Sequence, residues 1–234
     1  MNLKLLEQSI DILAVILFGS TARKDGDAYS DKDVFVLCND IQLNELLRLK
    51  NDFISQRINQ KEGICCYRYK DVVLMAKNGS LFLWHLKLQG NIIFSKGEVI
   101  EKIFKLLKPY QNYKNDLDYY EILLNDVKES FTRWKELTEF DLSLLFTIAR
   151  NICILLCYKR DIPKFGRSNP YLFARSLFGE NFPLPDWVYP RLCSWKLWYE
   201  RGVKTQRESS DKLELENILE YVGKLLKFAR SECL

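Results

Sequence analysis

Residues 17–37 read LFGSTARKDGDAYSDKDVFVL. An apolar run, Leu13 to Phe18, leads into Gly19-Ser20, and a second, Val34 to Leu37, leaves Asp31-Lys32-Asp33. The order predicts a strand, a tight glycine turn, a polar loop over Thr21 to Ser30 and a second strand from Asp31. Carboxylates at i and i+2 of a strand share a face. Two like charges held that close repel, and a cation relieves them; magnesium, with its preference for hard oxygen ligands, fits. Gly19 lets backbone N–H groups approach a phosphate, and Ser20 adds a hydroxyl. Asp31 and Asp33 are therefore candidate metal ligands, and the segment is a candidate site for a metal–nucleoside triphosphate.

Gly-Ser, ten residues, then Asp-x-Asp resembles the motif of the polymerase-β-like nucleotidyltransferases, and looks closest to the minimal branch that includes the antibiotic nucleotidyltransferases. Arg23 and Ser30 fall where that motif often carries Arg and Ser. The resemblance thus adds them to Gly19 and Ser20 as nucleotide-binding candidates. It implies an α+β fold: a small mixed β-sheet nucleotidyltransferase domain followed by an all-α helical bundle. It also implies Mg2+-dependent transfer of a nucleoside monophosphate, AMP from ATP, to a hydroxyl on a small molecule, a protein or an RNA end. Two positions depart from the pattern. The family places a third Asp or Glu on the next strand, whereas the corresponding run, Ile64 to Tyr69, has no carboxylate. Asp71 just after it is the candidate third catalytic acid, with a helix N-cap as the plainer role; Glu62 lies just before. Lys32, between the two Asps, replaces a residue that is normally apolar and suggests a partly open face. The missing acid keeps a rival reading alive, a non-catalytic nucleotide-binding or antitoxin-like partner on the same fold.

Around this motif the periodicity predicts a helix over Leu3 to Ile12 and another over Ile41 to Ile58, capped by Asn39-Asp40 and broken by Gly63. Short elements follow: a strand to Tyr69, a helix over Leu81 to Leu88, and a strand over Ile92 to Phe94. From Glu98 onward strand signals vanish and long amphipathic helices take over. The expected domains are therefore 1–97 and 98–234. Helices are predicted at Glu98–Leu107, Leu117–Leu137, Asp141–Tyr158, Pro170–Phe178, Trp187–Arg201 and Leu213–Ala229.

The 234 residues are 47% apolar and 28% charged, with a net charge of only +4, a balance that does not call for broad electrostatic binding to nucleic acid. The first twenty residues lack the pattern of a signal peptide, and no uninterrupted apolar stretch approaches a membrane span. A cytoplasmic protein with no membrane association is expected, its seven cysteines reduced. Cys153 and Cys157, four apart on an apolar helix, have no histidine near them and read as buried thiols. His85 is the sole histidine and reads as a half-buried residue satisfied by backbone. Helical partners of such transferases in toxin–antitoxin pairs include ribonucleases with an Arg-x4–6-His motif. Here Leu155, Leu156 and Cys157 stand at the matching positions after Arg150, so the helical half does not carry that chemistry. Trp187, Tyr189, Trp195, Trp198 and Tyr199 suit either a stacking surface or a core. The basic loop Lys159, Arg160, Lys164 and Arg167 suits either solvent or RNA.

Overall fold

The computed structural model describes residues 11–23, 32–55, 62–202 and 212–234. The predicted helix over residues 3–12 lies almost wholly outside them; Ile12, its last residue, opens the first strand. The chain divides into two compact units, 1–111 and 112–234.

The first unit is built on four strands, β1 (Ile12–Phe18), β2 (Lys32–Cys38), β3 (Glu62–Arg68) and β4 (Asn91–Ser95), in the order β3-β2-β1-β4. β2 pairs antiparallel with β1 and parallel with β3, while β4 pairs antiparallel with β1, so the sheet is mixed as the resemblance implied. Alternation along the strands splits the core into two layers. Ala14, Ile16, Phe35 and Leu37 face α3 (Tyr69–Lys77), α4 (Leu81–Gln89) and α5 (Val99–Leu106), through Val72, Ala76, Leu83, Leu86, Ile100 and Ile103. Val15, Val34, Val36 and Cys38 face Leu46 of α2 (Leu43–Ser55). α5, expected to open the helical half, thus belongs to the sheet's core, because its apolar stripe of Ile100 and Ile103, continued by Leu107 just past its end, has the sheet layer to cover.

Local chemistry sets the junctions. Gly19 has φ +73°, and this left-handed step lets β1 turn directly into a short helix, α1 (Gly19–Arg23), where a loop was expected. Asp40, expected to cap α2, instead accepts a hydrogen bond from the Lys70 N–H (2.7 Å) in the first turn of α3. The Gln42 N–H ahead of α2 is taken by the Glu45 carboxylate (2.9 Å).

The second unit is helical: α6 (Tyr113–Trp134), α7 (Glu139–Lys159), α8 (Asn169–Phe178), α9 (Val188–Arg201) and α10 (Lys212–Cys233), with a 3-10 turn at Gly179–Asn181. α7 is its centre. Leu145, Ile148, Ala149, Ile152, Cys153, Leu155 and Leu156 are all fully or almost fully buried. α7 is also long and apolar enough to cross a membrane by length and composition, which the sequence reading did not anticipate; most of its surface is covered by its neighbours. A helix apolar on all sides has to be surrounded. Tyr189 stacks on Tyr171 (4.3 Å between centroids) and Trp195 lies under Arg191, both buried, so the aromatic cluster is in part core. The basic loop is tied down within the unit: Lys159 Nζ donates to the Cys233 carbonyl (2.9 Å), Arg160 pairs with Glu232, and Lys164 lies 3.9 Å over the Phe173 ring.

Candidate functional site

The candidate site sits where β1 ends and β2 begins. Antiparallel pairing sets Phe18 opposite Asp33, so the Gly19 turn lands on Asp33 from one side. Parallel pairing sets Gly63 beside Asp33 on the other. The half-buried carboxylate of Asp33 fills the space both glycines leave. A Cβ on Gly19 would lie 2.2 Å from Asp33 Oδ2, and one on Gly63 would lie 2.7 Å from Oδ1. A glycine inside a strand marks a close approach. The sequence pattern marks Gly63 only as a helix breaker ahead of a strand starting at Ile64; β3 starts at Glu62 and so places Gly63 inside the strand.

The same register bears on the third acid. Side chains in register on parallel strands share a face, so the place on β3 beside Asp33 belongs to Gly63, which has none. Two residues on, Cys65 donates its thiol to the Val34 carbonyl (3.5 Å), and burial pushes its pKa up to about 12, which rules it out as a base near neutrality. Glu62 pairs in register with Lys32. Asp71 does not reach the site. It follows Arg68, which is in register with Cys38 at the far end of β2, roughly 16 Å along the strand from Gly63. There it accepts from Arg68 Nε (2.7 Å) and Nη2 (3.2 Å). Nor does it cap α3, whose N-cap residue is Arg68. Its charge suits the first turn of that helix. A shallow cavity of about 400 Å³, lined by Asn39, Asp40, Tyr69, Lys96 and Lys102 among others, opens at this same far end.

Arg23, the last residue of α1, is half-buried against α4. Its Nη1 lies 3.5 Å from His85 Nε2 and 3.3 Å from Gln89 Oε1. His85 meets the ring of Phe18 edge-on at 5.7 Å. His85, expected to be half-buried, is so, and it meets the Arg23 side chain as well. Ser20 is half-buried in the same turn, and Lys32 is exposed, in line with the open face its charge suggested. Asp31 and Ser30 lie outside the described residues. Among the described residues no group of three or more His, Cys, Asp or Glu side chains is arranged to hold a metal.

Residues 3–99 match the family described as polymerase beta, nucleotidyltransferase. They are a polymerase-β-type nucleotidyltransferase domain. No curated protein matches the chain by sequence. Among solved structures, the spectinomycin adenyltransferase AAD(9) from Enterococcus faecialis, determined with ATP and spectinomycin, is similar over 97% of this chain and 96% of its own, at 15% identity and a TM-score of 0.55. That likeness is one of fold, and it extends through the helical unit as well as the nucleotidyltransferase domain. A nucleotidyltransferase-like protein from Exiguobacterium sibiricum 255-15 covers 96% of this chain and 71% of its own, at 11% identity and a TM-score of 0.40. A toxin–antitoxin structure with AMP-PNP covers 54% of this chain and 94% of its own, at 19% identity and a TM-score of 0.32. The nucleotidyltransferase domain carries the Gly-Ser turn and Asp33 together at one end of its sheet.

Proposed function

We propose that this domain moves a nucleoside monophosphate, AMP from ATP, to a hydroxyl acceptor, with magnesium held by Asp31 and Asp33. The observation that carries the reading is the close seating of Asp33 between two glycines, beside the Gly19-Ser20 turn. Its carboxylate is flanked by two glycines, with no side chain between it and the turn that precedes α1. A hard oxygen donor set against glycine backbone at a phosphate-binding type of turn suits a divalent ion and a triphosphate. Held there, magnesium would supply neutralisation of triphosphate charge and acidification of an acceptor hydroxyl. The backbone N–H groups around Gly19 and Ser20 and the Ser20 hydroxyl bind phosphate oxygens, and the Arg23 guanidinium adds a fixed positive charge. In the transfer the acceptor oxygen bonds to the α-phosphorus, the bond to pyrophosphate breaks, and the acceptor proton leaves. The residue of β3 in register with Asp33 is Gly63, which cannot take that proton; an acceptor that ionises readily or carries its own base would meet the need, as would a base from elsewhere in the chain. A small-molecule hydroxyl is the first class to test, given the fold shared with a spectinomycin adenyltransferase.

Gly63 in the place of a third acid favours a second reading, a nucleotide-binding partner protein without turnover. One experiment separates the two. Binding of Mg-ATP is measured by calorimetry, and transfer of label from α-labelled ATP to components of a cell extract is followed in parallel. Asp33→Asn is expected to abolish magnesium-dependent binding and transfer while the melting temperature holds, and chelation with EDTA should do the same to the wild type. Unchanged affinity in Asp33→Asn would remove the site assignment. Tight Mg-ATP binding with no labelled product would select the second reading.

A further inference from the structure

We propose that His85, together with Gln89, is a positioning residue that holds the guanidinium of Arg23 in place for the nucleotide. The inference rests on the reading of Arg23 as a nucleotide-binding residue and adds a second layer of residues behind it. His85 and Gln89 are four apart on α4 and therefore share a face of that helix. Both present an acceptor to one atom, Arg23 Nη1, at 3.5 and 3.3 Å. Nη1 carries two hydrogens, enough to donate to both. Each contact is long, and neither alone would fix the side chain. Their convergence on one nitrogen restrains the guanidinium from the α4 side.

An arginine only donates, so His85 Nε2 must accept, and the ring proton belongs on Nδ1. The imidazole is in turn set by packing. Phe18 meets it edge-on at 89° and also meets Phe82 of α4 at 5.5 Å. Phe18 is the residue before the Gly19 turn and the register partner of Asp33. One aromatic contact thus ties the strand end carrying the turn to the helix that orients the cation. A guanidinium displaced from its productive position loses much of what it contributes to phosphate binding, because preorganisation is what makes such contacts effective.

Two measurements test this on the whole protein. His85 is the only histidine in the chain, so its ring nitrogens give a single set of long-range 1H–15N NMR signals. An unprotonated Nε2 and a protonated Nδ1 at neutral pH are expected, with the Nε2 signal moving in Arg23→Met. The opposite tautomer, or an Nε2 signal indifferent to Arg23→Met, overturns the contact. The second measurement is a double-mutant cycle on Mg-ATP affinity. His85→Leu should weaken binding by about tenfold, the order expected when a charged hydrogen-bonding group is misplaced. His85→Gln, which keeps an acceptor, should recover most of that loss, and His85→Leu should have no further effect in Arg23→Met. Equal losses from Leu and Gln, or additive effects in the cycle, overturn the positioning role while the proposed function stands. A wild type that fails to bind Mg-ATP overturns the proposed function and this role together, whatever the tautomer.

Discussion

Asp33 is squeezed by two glycines of different character, and the difference makes a sharp prediction. Gly19 has φ +73°, so any side chain there strains the backbone as well as striking Asp33. Gly63 has no left-handed φ, and the atom its Cβ would meet is the movable end of the Asp33 side chain. Gly63→Ala should therefore leave the melting temperature unchanged or slightly higher, since alanine restricts the unfolded chain, while reducing Mg-ATP affinity by turning Asp33 aside. Gly19→Val should lose both stability and binding. If Gly63→Ala binds Mg-ATP like the wild type, the carboxylate of Asp33 is not what the nucleotide site depends on. Asp71 gives the complementary case. It pairs with Arg68 at the far end of β3, with both side chains partly exposed, so Asp71→Asn should leave transfer and nucleotide affinity intact and barely move the melting temperature. A large fall in turnover would mean that Asp71 acts at a place the strand register does not allow.

At the level of elements, the helical unit depends on how α7 begins. Thr138 and Asp141 form a reciprocal cap: the Asp141 N–H donates to Thr138 Oγ1 (3.1 Å), and Asp141 Oδ2 accepts from the Thr138 N–H (2.9 Å). Ser130 of α6 donates to the same carboxylate oxygen (3.2 Å), so the cap also links two helices. Thr138→Ala should destabilise the protein by about 1 kcal/mol, read by chemical denaturation. Asp141→Ala should cost more than Thr138→Ala, because it removes the Ser130 contact as well. The strands show the same dependence on local pairing. β1 turns into α1 only because Gly19 accepts a left-handed backbone, and α5 joins the sheet layer because its apolar stripe has a partner there.

The whole molecule has a separate core in each unit. Leu155 is fully buried in the helical unit, and the candidate nucleotide-binding residues all belong to the first. Leu155→Ala should cost about 2–5 kcal/mol in denaturation, the range for a leucine cavity in a packed core. Mg-ATP affinity measured below the transition should stay at the wild-type value. A matched loss of affinity would mean that nucleotide binding draws on the helical unit's packing.

Much of this protein was legible in its sequence because the decisive signals are short-range. Short continuous apolar runs on either side of Gly19-Ser20 and Asp33 specify strand, turn and strand, and the helical periods after residue 112 specify a bundle, since length and side-chain period select the element and the face to be buried. Three things depended on strands and helices distant in sequence being brought together. Pairing of β2 with β3 put Gly63 beside Asp33 and carried Asp71 to the opposite end of the sheet, a matter of parallel register that no local pattern encodes. Packing of α5 on the sheet moved the unit boundary from 97 to 111, because an amphipathic stripe does not name its partner. Docking of α4 against the end of β1 brought His85 and Gln89 to Arg23, more than sixty residues away along the chain. Spacing along a chain determines which face a residue is on, and only the packed structure determines what stands across from it.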